Sequence, residues 1–179
     1  IKTPSEFAGR YYAVVFSPSD LSFVKDGPEK RRKFLDIAIS QLKPVYQKYL
    51  NQYNRALIQR NALLKDLYYH PSLESTVDLW DLQLAKLGTI LTSFRVDYLK
   101  KLNNFSGKIY EGISNGTEQA EFFYKSTVFS EETDVLGYTD ETIEKYGRAL
   151  FESREEDKKF GSTSVGIHRD DIEILINGL

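Results

Sequence analysis

The sequence has no cysteine and no methionine, and it holds two histidines and one tryptophan among 179 residues. Without cysteine there can be no disulfide, thiolate metal site or cysteine nucleophile, a usage that fits a reducing compartment. His70 and His168 are too few for a multi-histidine zinc centre. No apolar run approaches the roughly 18 residues that a membrane helix needs, and the opening residues carry no signal-peptide pattern. A phosphate loop of the form Gly-x-x-x-x-Gly-Lys-Ser/Thr is missing, as is an apolar strand ending in adjacent acidic residues. Without the amides and lysine that cradle phosphates, or the aspartate that holds Mg²⁺, phosphoryl transfer by this stretch has no electrostatic support. The missing initiator, and a strand-and-turn pattern at residues 172–178, predict a segment of a longer protein. They also predict a last strand that has lost its partner.

Net charge is scarce too: 24 basic residues face 26 acidic ones, for −2. Its distribution is uneven. Residues 25–65 hold ten basic residues against three acidic ones, an excess of seven positive charges. Residues 111–157 hold thirteen acidic residues against four basic ones, an excess of nine negative charges. One reading is a basic half that faces an anionic partner; the other is that both faces merely solvate helices.

Residues 11–16, Tyr-Tyr-Ala-Val-Val-Phe, read as a buried strand. A helix over 29–42 follows, with Phe34, Leu35, Ala38, Ile39 and Leu42 on one face. Pro44 opens a longer helix to about residue 69, where His70-Pro71 stops it. The next helix carries Val77, Trp80, Leu84, Leu87, Leu91, Phe94 and Tyr98, alternating steps of three and four that give a coiled-coil seam. The rhythm then shifts to Leu102, Phe105 and Ile109. A short connection makes these helices antiparallel neighbours. Residues 120–125 read as a strand, residues 139–142 cap a helix to about 159, and residues 161–164 form a flexible loop before the last strand.

Residues 18–36 read Pro-Ser-Asp-Leu-Ser-Phe-Val-Lys-Asp-Gly-Pro-Glu-Lys-Arg-Arg-Lys-Phe-Leu-Asp, and residues 166–171 read Gly-Ile-His-Arg-Asp-Asp. Between them stand Gln-Arg-Asn-Ala-Leu-Leu at 59–64 and Trp-Asp-Leu-Gln-Leu at 80–84. In order and spacing these motifs resemble the RecF family, bacterial recombination mediators among the SMC-like ABC ATPases. Ser19, Asp26 and Ile167 depart from the family pattern. The resemblance implies an α-rich α+β fold: a long antiparallel helical hairpin, a coiled-coil-like arm, with short strands and helices at both ends belonging to an ABC-ATPase head. It implies a head strand and Q-loop-like segment over 1–28, a helical arm lobe over 29–160 with the hairpin at about 44–113, and a return strand over 161–179. The parent would be a weak ATPase that uses ATP and Mg²⁺ held outside this stretch, and a bacterial cytoplasmic protein. It would dimerise with ATP, bind double-stranded and gapped DNA, and act with RecR and RecO to load RecA. A purely structural hairpin that contacts only proteins is the alternative.

Lys30, Arg31, Arg32 and Lys33 form the densest cation cluster, and the resemblance makes DNA phosphate their partner. The alternative is an arginine paired with Asp36 or Asp20 that locks the helix to the head. Arg55 and Arg60 alternate with Tyr46, Tyr49 and Tyr53 along one helix. That pattern suits stacking on unpaired bases, although a tyrosine stripe at helical spacing more often packs. Asp20, His168, Arg169, Asp170 and Asp171 are candidates for coupling the arm to a nucleotide-bound head, with a salt-bridge cluster as the alternative. No catalytic or metal-ligating residue is expected.

Overall fold

A computed structural model describes residues 26–130 and 137–178. The expected strand at 11–16 and the role of Asp20 lie outside the described residues. The element order is α1 (Pro28–Leu42), α2 (Pro44–Asp66), a 3-10 turn (Pro71–Thr76), α3 (Val77–Ile113), β1 (Ala120–Lys125), α4 (Asp140–Glu152), α5 (Arg154–Phe160) and β2 (Asp171–Ile176). The fold is helix-rich with a two-stranded antiparallel sheet. The chain divides into two compact units, one built from Ile1–Pro44, Phe94–Lys125 and Asp170–Leu179, the other from Val45–Ser93 and Ser126–Arg169.

In the first unit, β1 and β2 pair from Ala120 opposite Ile176 to Lys125 opposite Asp171. The last strand therefore does have a partner, 46 or more residues upstream, which no local pattern announces. Asn177 closes the pair by bonding Gln119 through both its main chain and its side chain, at 2.9 and 2.8 Å. Proline at its first position starts α1, whose Leu35 and Ile39 are buried. Phe34 and Leu42, expected on the same inner face, are exposed. In the second half of α3, where the apolar rhythm shifts, Phe105 and Ile109 are 69% and 63% exposed.

In the second unit, α2 and the start of α3 form the expected hairpin. Leu64, Leu67 and Val77 make a small core at its closed end, and Arg60 bonds Asp81 one turn further in. Val77, Leu84, Leu87 and Leu91 of the seam are buried. Tyr146 of α4 lies across this hairpin. Its ring rests on Gly88, where an added Cβ would stand 2.3 Å from Tyr146 Cζ, so only glycine fits. Thr139 and Thr142 form a reciprocal capping box at the start of α4. The expected single helix over 139–159 is broken at Ser153 into α4 and α5. The loop at 161–164 is not slack: Gly161 and Thr163 are buried, and Ser164 is held by Asp157.

Candidate functional site

The basic residues singled out from the sequence fall into different environments. Arg31 makes a bidentate pair with Asp171, Nε to Oδ1 at 2.7 Å and Nη2 to Oδ2 at 2.9 Å, and Nη1 donates to the carbonyl of Asp26 at 2.6 Å. Only 14% of its side chain is exposed. Arg32 donates from Nη1 to the carbonyl of Asp170 at 2.8 Å. Lys30 pairs with Asp26 one turn away. Lys33 is exposed. The cluster that reads as one cationic patch is thus divided, its two arginines clamping α1 to the start of β2. Such fork-to-fork pairing suits the guanidinium geometry.

Arg60 corrects the sequence reading outright. Its side chain is wholly buried. Nε donates to Asp81 at 2.6 Å, and Nη1 donates to Asp157 at 2.6 Å and to Thr163 Oγ1 at 2.9 Å. An arginine enclosed by two carboxylates has no guanidinium to offer a polyanion. Asp81 also accepts from Arg154 Nη2 at 2.5 Å, and Asp157 accepts from Ser164 N and Oγ at 2.8 and 2.6 Å. Arg60 and its two carboxylates are thus fully engaged, the condition under which buried ions are tolerated. Tyr46 and Tyr53 are buried as well, so the tyrosine stripe packs rather than stacks on bases.

What α2 leaves outside is a polar and cationic face. Lys48, Gln52, Arg55 and Gln59 recur at steps of four, three and four, and all are exposed. No acidic residue occurs from Pro44 to Lys65. The spacing lays Lys48 and Arg55 two turns apart on one side, about 10 Å along the axis.

The run from His168 to Asp171 sends its side chains to separate tasks. His168 Nε2 lies 3.0 Å from the carbonyl of Thr163, which can only accept, so this nitrogen carries the proton. Nδ1 meets Tyr53 OH at 3.0 Å. Tyr53 OH in turn meets Tyr146 OH at 3.2 Å, which takes the Ile167 N–H at 3.2 Å. Gly166, at φ +118°, leaves the space that this pair of hydroxyls occupies. Arg169 donates from Nε to the carbonyl of Thr163 at 3.1 Å.

Asp170 is buried and accepts from Tyr124 OH at 2.7 Å. Arg95 Nη1 donates to the same hydroxyl at 3.1 Å, and Nη2 donates to Asp36 at 2.8 Å. Burial, with the nearby Asp170 charge, raises the Tyr124 pKa well above its ordinary value, so the phenol stays a neutral donor. Asp171 is shifted the other way. Its burial opposes ionisation, but the hydrogen bonds from Arg31 and the Ile172 N–H outweigh that cost and hold its pKa below the ordinary carboxylate value.

Sequence reasoning missed Arg95, although a signal was there. Arg60 and Arg95 are each flanked four residues away on both sides by apolar positions, Ala56 and Leu64, Leu91 and Leu99. All four are buried. A charge in register with a buried stripe is a core charge, and its partners must be sought elsewhere in the chain.

No family model matches the chain. Among curated proteins, the DNA replication and repair protein RecF of Acetivibrio thermocellus is 37% identical over 179 residues, all of this chain and 48% of the relative. RecF of Clostridioides difficile is 37% identical over 97% of this chain and 45% of its own length. A solved structure of the recombination mediator protein RecF-ATPrS in the RecFOR pathway matches at 36% identity with a TM-score of 0.90, over 100% of this chain and 47% of its own. The RecF-ATP structure matches at 37% identity with a TM-score of 0.85. The chain spans about half the length of the relatives it matches. The motifs at 18–36, 59–64, 80–84 and 166–171 therefore sit within similarity that runs along the whole chain in both sequence and fold, and on that ground the chain belongs to the RecF family.

Proposed function

We propose that this chain is the arm-bearing segment of a RecF-type recombination mediator, and that it contacts DNA through the outer face of α2. The parent binds duplex and gapped DNA in an ATP-dependent dimer and acts with RecO and RecR to promote RecA loading in the bacterial cytoplasm. ATP and Mg²⁺ belong to parts of the parent beyond this segment, which carries no phosphate-loop motif of its own. The observation that carries the DNA assignment is the exposed Lys48–Arg55 face on a helix with no carboxylate over residues 44–65. A polyanion meets cations there without repulsion, and the amides of Gln52 and Gln59 add donors for phosphate oxygens. Lys33 adds an exposed cation on α1, whereas Arg31, Arg32 and Arg60 hold the fold. The run from His168 to Asp171 is the segment through which changes in the head pass to the arm.

The second reading, a hairpin that contacts only proteins, is favoured by the removal of Arg60 to the interior. Fluorescence anisotropy with a gapped duplex separates the two. Lys48→Ala with Arg55→Ala should weaken binding to all sequences alike and flatten the slope of log K against log salt by ~0.9 for each phosphate no longer neutralised. Unchanged affinity in that variant would sink the DNA assignment of this face.

A further inference from the structure

We infer that the groove between the first turns of α3 and the outer side of α4 is a docking site for a protein segment that brings apolar side chains flanked by lysine or arginine. The groove encloses about 490 Å³, with Leu82, Ile143 and Phe151 on its walls. Phe151 is 64% exposed and Leu82 49%, although both stand beside a cavity that could have been filled. Such exposed apolar surface around a concavity is a mark of an interaction site.

Gly147 forms part of the floor. It lies in the interior of α4, where glycine destabilises a helix relative to alanine. Packing does not require it there: an added Cβ would meet Ala85 Cβ at 3.9 Å, an ordinary contact. This contrasts with Gly88, where the Tyr146 ring permits nothing larger. What glycine does at 147 is keep the groove open.

The rim decides the occupant. Asp140 and Glu144 are exposed on α4, and Asp78 stands opposite on α3 beside Arg154, 2.7 Å from its Nη2. Arg148, 3.7 Å from Glu144, offsets part of this charge. Counting Asp81, four carboxylates line the groove against two arginines, so the balance is negative. Phosphates are repelled by such a rim, and a basic protein segment is attracted. Arg154 also carries an unmet bond: its Nε–H is buried and has no acceptor among the described residues. This site goes beyond the DNA reading and does not rest on it.

The test uses the 179-residue chain and a labelled 16-residue amphipathic peptide of leucine and lysine, with its leucine–glutamate counterpart as comparison. The leucine–lysine peptide should bind and the counterpart should not. Gly147→Leu, which fills the floor with a good helix former, should weaken binding at least tenfold. Asp140→Lys with Glu144→Lys should do the same and shift preference to the glutamate peptide. Gapped-duplex affinity should stay within twofold in the charge-neutral Gly147→Leu, whether or not the α2 face proves to be the DNA site. Glu111→Lys with Glu118→Lys, the same charge change outside the groove, should leave peptide binding unchanged. Circular dichroism verifies folding, and the exposed Asp140 and Glu144 pair carries the test if Gly147→Leu does not fold. Absent peptide binding, or equal weakening by the changes inside and outside the groove, would overturn the proposal.

Discussion

Replacing Arg60 with methionine would test the central ion cluster of the second unit. The change keeps most of the aliphatic bulk and deletes one buried cation. Asp81 retains Arg154, whose Nη2 lies 2.5 Å from Oδ2. Asp157 retains only neutral donors, Ser164 N and Oγ at 2.8 and 2.6 Å and Ser153 Oγ at 3.3 Å. One carboxylate is therefore left without its cation rather than two. Breaking a buried pair costs about 3–5 kcal/mol, and the surviving bonds set the expectation near the lower end, about 3 kcal/mol. For a chain of this length that corresponds to roughly 6–12 °C in Tm. Urea unfolding followed through Trp80, which is half-buried and adjacent in sequence to Asp81, gives the measurement directly. The midpoint should fall with an unchanged m-value. Adding Asp157→Asn, which removes the orphaned charge but keeps an acceptor, should recover at least half of the loss. A cost below about 1 kcal/mol for Arg60→Met, or no recovery in the double variant, would refute the view that paired charge organises this core.

Three further outcomes are expected. Gly88→Ala would place a Cβ 2.3 Å from Tyr146 Cζ; the ring is held by Tyr53 and the Ile167 N–H and cannot withdraw, so about 1–3 kcal/mol is lost, and most of that cost should vanish when Tyr146→Ala is present, as a double-mutant cycle by urea unfolding would read. Because the folded-state pKa of Asp171 is depressed, its share of stability is present above the ordinary carboxylate value near 4 and is lost as pH falls through the lower folded value. The stability gap between wild type and Arg31→Ala should accordingly be constant above roughly pH 5 and narrow below roughly pH 4; a gap independent of pH would show that the pair is not ionic. Leu87→Ala on the buried seam should cost about 2–5 kcal/mol in urea unfolding, and a loss under about 0.5 kcal/mol would mean that this position behaves as surface.

Much of the local architecture follows from the sequence by itself. Proline at 28 and 44, the three-four rhythm from Val77 to Leu91 and the threonines at 139 and 142 each act through contacts a few residues apart, which a linear pattern contains in full. The helical hairpin and the strand at 120–125 were legible on that basis, and the four ordered motifs carried the resemblance to the RecF family. Tertiary structure decided where charge goes. Arg60 and Arg31 look like surface cations because their anions, Asp157 and Asp171, stand 97 and 140 residues away. The pairing of β1 with β2 was hidden for the same reason, as was the split of the His168–Asp171 run among Tyr53, Thr163, Tyr124 and Arg31. A buried ion is stable only if its counter-ion arrives with it, and that arrival is a property of the folded chain rather than of any window along it. The basic face that remains, Lys48 and Arg55 on α2, is defined by what the interior did not take.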